Sequence, residues 1–449
     1  MPVQSDLEYR NRGTRFRIFP QAPLLPAFRE PEIVWLSPPP DAIRPGPADD
    51  RMYVCDPVNK DKPYEYPHYM PPYLGDTYPP AYPGPDGHFD QLDRNSREFQ
   101  AAHMYAGLRR VLDIWEAYFG RTIDWYSSRH YPQMELIPFL PWDNAQSGYG
   151  FIETGYGFSE QMGEKTLFCM NFDVLAHEMG HSIIFSSVGV PSAANSSGEY
   201  LGFNESAADL IALLSVLHFD SVVDHLLATT QGNLYTSNEL NRLGELSETE
   251  QIRTLVTDRK ISDFAAGWTD EHPISLPLTG ALFDIFVEVF LCNLLEQDLI
   301  SRELAERSLA ATDHSIDEHA IQQGFADAYH GRHEEYKSAL LDARDYLGFC
   351  LAHVWDRLSP HDLRYVDVAD AFLGADREIT DGRYRTVILD CFRWREIGIA
   401  VIGPKLESPT SNEGGAFRAA PSTSYDFGPI NVSYWERMAI AKQRGYVGM

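Results

Sequence analysis

Two histidines four residues apart, His177 and His181, stand inside the apolar run FDVLAHEMGHSIIF, and nothing else in the chain narrows its possible folds as much. The spacing and the lack of internal proline predict a helix over residues 172–185. On a helix, residues four apart differ by about 40° in azimuth, so both imidazoles leave from one face and can hold one metal ion. Glu178 is rotated by about 100° from His177. That keeps its carboxylate off the ion but near a water beside it, where a general base belongs. Asp173, at the start of the run, is a candidate cap.

His-Glu-x-x-His alone arises by accident in roughly a few per cent of chains this rich in histidine, so a second signal matters. Asn204-Glu205-Ser206-Ala207-Ala208-Asp209 supplies it, opening the next helical run (204–219) with Glu205 placed 24 residues after His181. Glu205 would give an oxygen as third ligand, and two His plus one Glu with a fourth position open is the pattern of catalytic zinc. Four residues on, Asp209 shares the face of Glu205, where it can accept the second N–H of a ligating imidazole and fix its tautomer. The alternative is an ordinary helix start, with Asn204 as N-cap and acids in the first turn.

The 449 residues suffice for one large domain or two to three ordinary ones. Asp and Glu outnumber Lys and Arg by 65 to 37, a formal charge of −28, so a polyanion such as DNA or an anionic membrane surface is repelled and no nucleic-acid partner is expected. The most apolar windows are broken by Asp, Glu or His short of the ~18 residues of a membrane span, so no membrane partner is expected either. Residues 1–20 carry Asp6, Glu8, Arg10, Arg12, Arg15 and Arg17 in place of the apolar core of a secretory signal. Cys55, Cys169, Cys292, Cys350 and Cys391 are odd in number and lack a C-x-x-C pair. Both features favour the cytoplasm.

Texture divides the chain into four parts. Residues 1–97 are rich in Pro and Tyr, most of all in KPYEYPHYMPPYLGDTYPPAYPGP, and read as an extended arm over the folded body. Residues 98–185 begin with an amphipathic helix stopped by Gly120 and continue through short extended runs over 134–157 that predict a small sheet. Residues 186–401 are mainly helical, including 278–295 and 339–358. Residues 402–449 form a Gly, Pro and Ser rich tail.

Taken together, the motifs resemble the thermolysin family of zinc metalloendopeptidases, in which H-E-x-x-H is followed by N-E-x-x-x-D. Further stretches match in order over about residues 98–401: Ala102-His103-Met104-Tyr105-Ala106-Gly107, Trp142-Asp143-Asn144-Ala145, Phe172-Asp173-Val174, Arg259-Lys260-Ile261-Ser262-Asp263, Thr279-Gly280-Ala281-Leu282 and Trp394 to Ile399. The resemblance implies an α+β, two-lobed fold with a small β-containing N-terminal lobe, a mainly helical C-terminal lobe and the zinc helix on the cleft floor. It implies a peptide or protein substrate held by Asn144 and Ala145 on an edge strand and by Arg259. His177, His181 and Glu205 would hold Zn2+, and Glu178 would act as base.

The chain departs from the family at several places. The position of its oxyanion-donating His is Leu276 here, which leaves His272 as the nominee. The position of its site Tyr is Ser196, which leaves Tyr200. Val216 stands where a calcium-binding acid is expected, so no calcium is expected there, and Asp258 replaces an apolar residue of the specificity pocket. Two alternatives stay open: a catalytically silent binding protein on the same fold, and a zinc amidohydrolase for a small peptide-like metabolite.

Overall fold

The computed structural model of the chain describes residues 9–65, 68–159, 163–235, 242–245, 251–254, 257–268, 271–309 and 318–398. The C-terminal tail, 402–449, lies outside the described residues. The architecture is α+β. Its strands are β1 (Thr14–Ile18), β2 (Glu32–Leu36), β3 (Met52–Val54), β4 (Met134–Ile137), β5 (Ala145–Gly148), β6 (Phe151–Thr154), β7 (Tyr156–Ser159), β8 (Glu164–Leu167), β9 (Arg242–Glu245) and β10 (Gln251–Thr254). The helices are α1 (Arg97–Phe119), α2 (Phe172–Ser187), α3 (Gly198–Val216), α4 (Asp220–Thr230), α5 (Glu271–Glu296), α6 (Arg302–Leu309), α7 (Glu318–Tyr329), α8 (His333–Trp355), α9 (Tyr365–Thr380) and α10 (Arg385–Trp394).

The largest sheet runs β3-β4-β6-β5, with β3, β4 and β6 parallel and β5 antiparallel to β6, from Ala145 opposite Thr154 to Gly148 opposite Phe151. That order makes β5 an edge strand, as expected for the segment after Asn144. Helix α1 starts on Ser96, whose side chain accepts from the Phe99 amide, and stops at Gly120, whose φ of 63° is the left-handed conformation that glycine adopts most readily. One contiguous core extends from Phe16 to Ile397, with Trp115, Trp355 and Tyr105 among its largest buried side chains.

Three local expectations are corrected. Asn171, not Asp173, caps α2, accepting from the amides of Asp173 and Val174. Helix α3 begins at Gly198 under a Ser197 cap, so Asn204 is an interior residue and the ordinary-helix-start alternative falls away. Helix α5 carries an apolar window long enough to cross a membrane, against the sequence reading that no such window exists, and 78% of that window is buried inside the protein. Burial in the core is sufficient reason for its composition.

The Pro and Tyr rich segment is more than a covering arm. Phe16, Ile18, Val34 and Leu36 enter the core, and β3 extends the main sheet. Its loops are tied down by two buried carboxylates of the sheet, Glu135 on β4 and Glu153 on β6. Lys60 Nζ lies 2.7 Å from Glu153 Oε2, and the Tyr64 amide donates to Glu153 Oε1 at 2.6 Å. The Tyr64 and Tyr53 hydroxyls and the Tyr73 amide donate to Glu135. Proline-rich backbone has few internal hydrogen bonds, so these long-range partners fix its path.

Candidate metal centre

Helices α2 and α3 pack face to face at a point chosen by small residues. A Cβ on Gly180 would lie 2.8 Å from Ala208 Cα, so only glycine lets the two backbones come this close. Gly180 sits between His177 and His181, and Ala208 sits between Glu205 and Asp209, so the same contact brings the donor side chains together. On the opposite side of α2, Gly107 of α1 meets Leu175, whose methyl would stand 2.9 Å from an added Cβ.

The three expected ligands converge. His177 Nε2 and His181 Nε2 are 3.0 Å apart. Glu205 Oε2 lies 3.6 Å from His177 Nε2, and Glu205 Oε1 lies 3.6 Å from His181 Nε2. All three residues are buried, and among the described residues they form the group of side chains able to hold a metal ion. Bonds of about 2.0–2.1 Å at tetrahedral angles put the donor atoms of a zinc site roughly 3.3 Å from one another, within the observed spread.

The other ring nitrogens are held from behind. Asp209 Oδ1 is 3.0 Å from His177 Nδ1, placed to accept its N–H as the spacing predicts. Asn204 Nδ2 lies 2.9 Å from His181 Nδ1. For His181 to ligate through Nε2, the amide would turn by about 180° so that Oδ1 accepts the Nδ1–H. With both Nδ1 atoms protonated, each ring would direct an Nε2 lone pair at the other and at two carboxylate oxygens. In that state four acceptors at this range in a buried place would repel one another without a cation among them, and two His and one Glu are a donor set that fits zinc. Sequence reasoning gave Asn204 no place at the site because it set the residue at the opening of the helix, with a cap as its one alternative role.

Glu178 follows His177 on α2 and is fully buried beside the cluster. The Phe185 ring stacks on His181 with centroids 6.0 Å apart, and Ser182 Oγ meets Ser147 Oγ of the edge strand at 2.7 Å. That contact fastens β5 to the ligand-bearing helix, a link no local pattern announced. Asn144 and Ala145 stand at the start of β5, where Asn144 Oδ1 accepts from the Ala145 amide and Ala145 packs on Phe168 and Val174.

His272, in the first turn of α5, reaches the cluster with Nε2 3.4 Å from Glu205 Oε2. Tyr200 does not. It lies five residues before Glu205 on α3, about 140° away around the helix, and its hydroxyl donates to the Gly189 carbonyl at 2.7 Å. Burial raises its phenol well above the ordinary range. Arg259 is not gathered in either: its side chain is more than half exposed and lies 4.0 Å from Asp263, four residues on. The buried guanidinium nearby belongs to Arg395, which pairs with Asp284 at 2.7 Å and donates to the Arg259 carbonyl.

No family model and no curated protein matches the chain. Among solved structures, the precursor of protealysin, a metalloproteinase from Serratia proteamaculans, aligns with 14% identity and a TM-score of 0.39, covering 77% of this chain and 87% of that one. Similarity at that level carries no weight for activity or site residues, which rest on the side chains themselves.

Proposed function

We propose that this chain is a zinc-dependent peptidase of two-lobed, thermolysin-like build that hydrolyses peptide bonds. The observation that carries the reading is the convergence of His177, His181 and Glu205 at 3.0–3.6 Å, with Asp209 and Asn204 behind the two imidazoles. Bound by those three side chains, zinc would supply Lewis acidity toward a carbonyl and a lowered pKa for water. Asp209, and Asn204 with its amide turned, would hold the ring tautomers that leave both Nε2 atoms free to ligate. Glu178 accepts a proton from the attacking water and passes it to the leaving amine. Asn144 and Ala145 would give an extended peptide an edge strand, which Ser147 ties to α2 through Ser182. Tyr200 and Arg259 have no part in this scheme.

A peptide-library cleavage profile with wild type and Glu178→Gln tests the proposal. Wild type should cleave, and the variant should keep its metal while losing about 10²–10⁴-fold in turnover. Equal cleavage by both would remove Glu178 as the base. The silent-binder reading draws on Tyr200 and Arg259 standing away from the cluster, and on the near-complete burial of His177, Glu178, His181 and Glu205. Metal-loaded wild type that cleaves neither proteins nor short amides would favour it.

A further inference from the structure

His272 is the member of this neighbourhood nearest solvent, its side chain 16% exposed against 1% for Glu205. Its position is built into the packing of α3 on α5. Gly202, one turn before Glu205, leaves room for Ile274 and the Tyr365 hydroxyl, which a Cβ would meet at 3.0 and 2.1 Å. That hydroxyl donates to the Ile274 carbonyl at 2.6 Å, and Ser275 Oγ donates to the His272 carbonyl at 2.7 Å. The first turn of α5 is thereby pinned with the imidazole directed at Glu205.

The imidazole is not placed as a fourth ligand. It lies outside the set of side chains whose donor atoms all fall within 4.8 Å of one another. Its neighbour is one particular oxygen, Glu205 Oε2, at 3.4 Å. A buried carboxylate with two oxygens equally close to the histidine pair could otherwise close on an ion with both, and a four-coordinate site that does so has its positions filled without water.

Resting on the metal-hydrolase reading, we propose that His272 is a positioning residue that keeps Glu205 a one-oxygen ligand. With the His272 Nε2–H turned onto Oε2, 3.4 Å away, Glu205 would present Oε1 to the ion and one coordination position would stay open. Neighbours that hydrogen-bond a ligating carboxylate commonly govern how it binds. The role concerns the shape of the metal site, and so is separable from turnover.

The test uses the full chain loaded with cobalt(II) in place of zinc, with azide as the exogenous ligand. Wild type should give an intense visible absorption of low coordination number, and azide should shift it. His272→Ala should lose most of that intensity and most of the azide response, as Glu205 takes the open position with its second oxygen. His272→Gln, whose side-chain N–H reaches the same place, should keep both, whereas the shorter His272→Asn should behave like Ala. Should the alanine variant not fold, the Gln and Asn pair decides alone. Wild-type spectra and azide shifts in both His272→Ala and His272→Asn would overturn the role of His272. Failure of wild type itself to take up one cobalt ion would instead overturn the metal reading beneath it.

Discussion

Adding one methyl group at Gly180 should loosen the metal centre while leaving the helix that carries it intact. The new Cβ would stand 2.8 Å from Ala208 Cα and 3.1 Å from Ala208 Cβ, where ordinary contact begins at 3.4 Å, so α2 and α3 must part by about 0.6 Å. Gly→Ala within a helix gains about 1 kcal/mol in propensity, and overpacking a tight core costs about 1–3 kcal/mol, so stability should change by no more than about 2 kcal/mol. The metal site has less tolerance. Parting the helices carries Glu205 away from both imidazoles, which now lie 3.6 Å from its oxygens, and metal–ligand distances tolerate only about 0.2 Å. Zinc affinity should fall about 10–100-fold, the range seen when ligand orientation is disturbed. Competition against a chelating dye gives the affinity, and circular dichroism the fold. A Gly180→Ala protein that binds zinc as tightly as wild type and melts higher would refute the claim that this contact sets the ligand spacing.

Asp209→Ala should retain the fold and weaken metal binding about 10–100-fold, read by the same competition, because His177 Nδ1 loses its acceptor. Lys60→Met should destabilise the protein by about 3–5 kcal/mol in urea unfolding, since Glu153 would keep its burial without its cation. Glu288 makes stability depend on pH. Burial first, then Asp284 and Asp390, raise its carboxyl from 4.5 to about 7, opposed by the Cys391 thiol that donates to it. The folded state therefore holds a proton that the unfolded state has released between about pH 4.5 and 7. Stability from this group falls as pH rises through that window, by up to about 3 kcal/mol. Glu288→Gln should flatten that part of the melting-temperature profile and raise the melting point at pH 8; an unchanged profile would rule the group out.

How much of this was legible in the sequence follows from which forces are local. The ligands could be read because helical periodicity alone puts His177 and His181 on one face, and the same periodicity carries Glu205 to Asp209. The start of α3 was misread because Gly198 follows its cap and masks the beginning of the apolar pattern, which made the interior Asn204 look terminal. His272 could be nominated only as the nearest histidine; what brings it in is the fit of Gly202 against Ile274 and Tyr365, 72 and 163 residues away. Tyr200 and Arg259 show the opposite failure, where a residue of suitable type stands at a suitable distance along the chain but on the wrong face or in solvent. The path of the Pro and Tyr rich segment depends on contacts such as Lys60 with Glu153, 93 residues apart, and no window of sequence contains both partners.

Metal analysis of the purified chain decides whether His177, His181 and Glu205 hold one ion. Elemental analysis after purification without chelators, followed by dialysis against dilute zinc, should find one zinc per chain in wild type and far less than one in Glu205→Ala. A wild-type protein that is folded yet neither retains nor takes up a stoichiometric transition metal, or a Glu205→Ala variant that binds it equally well, would mean that these three side chains are not a metal site.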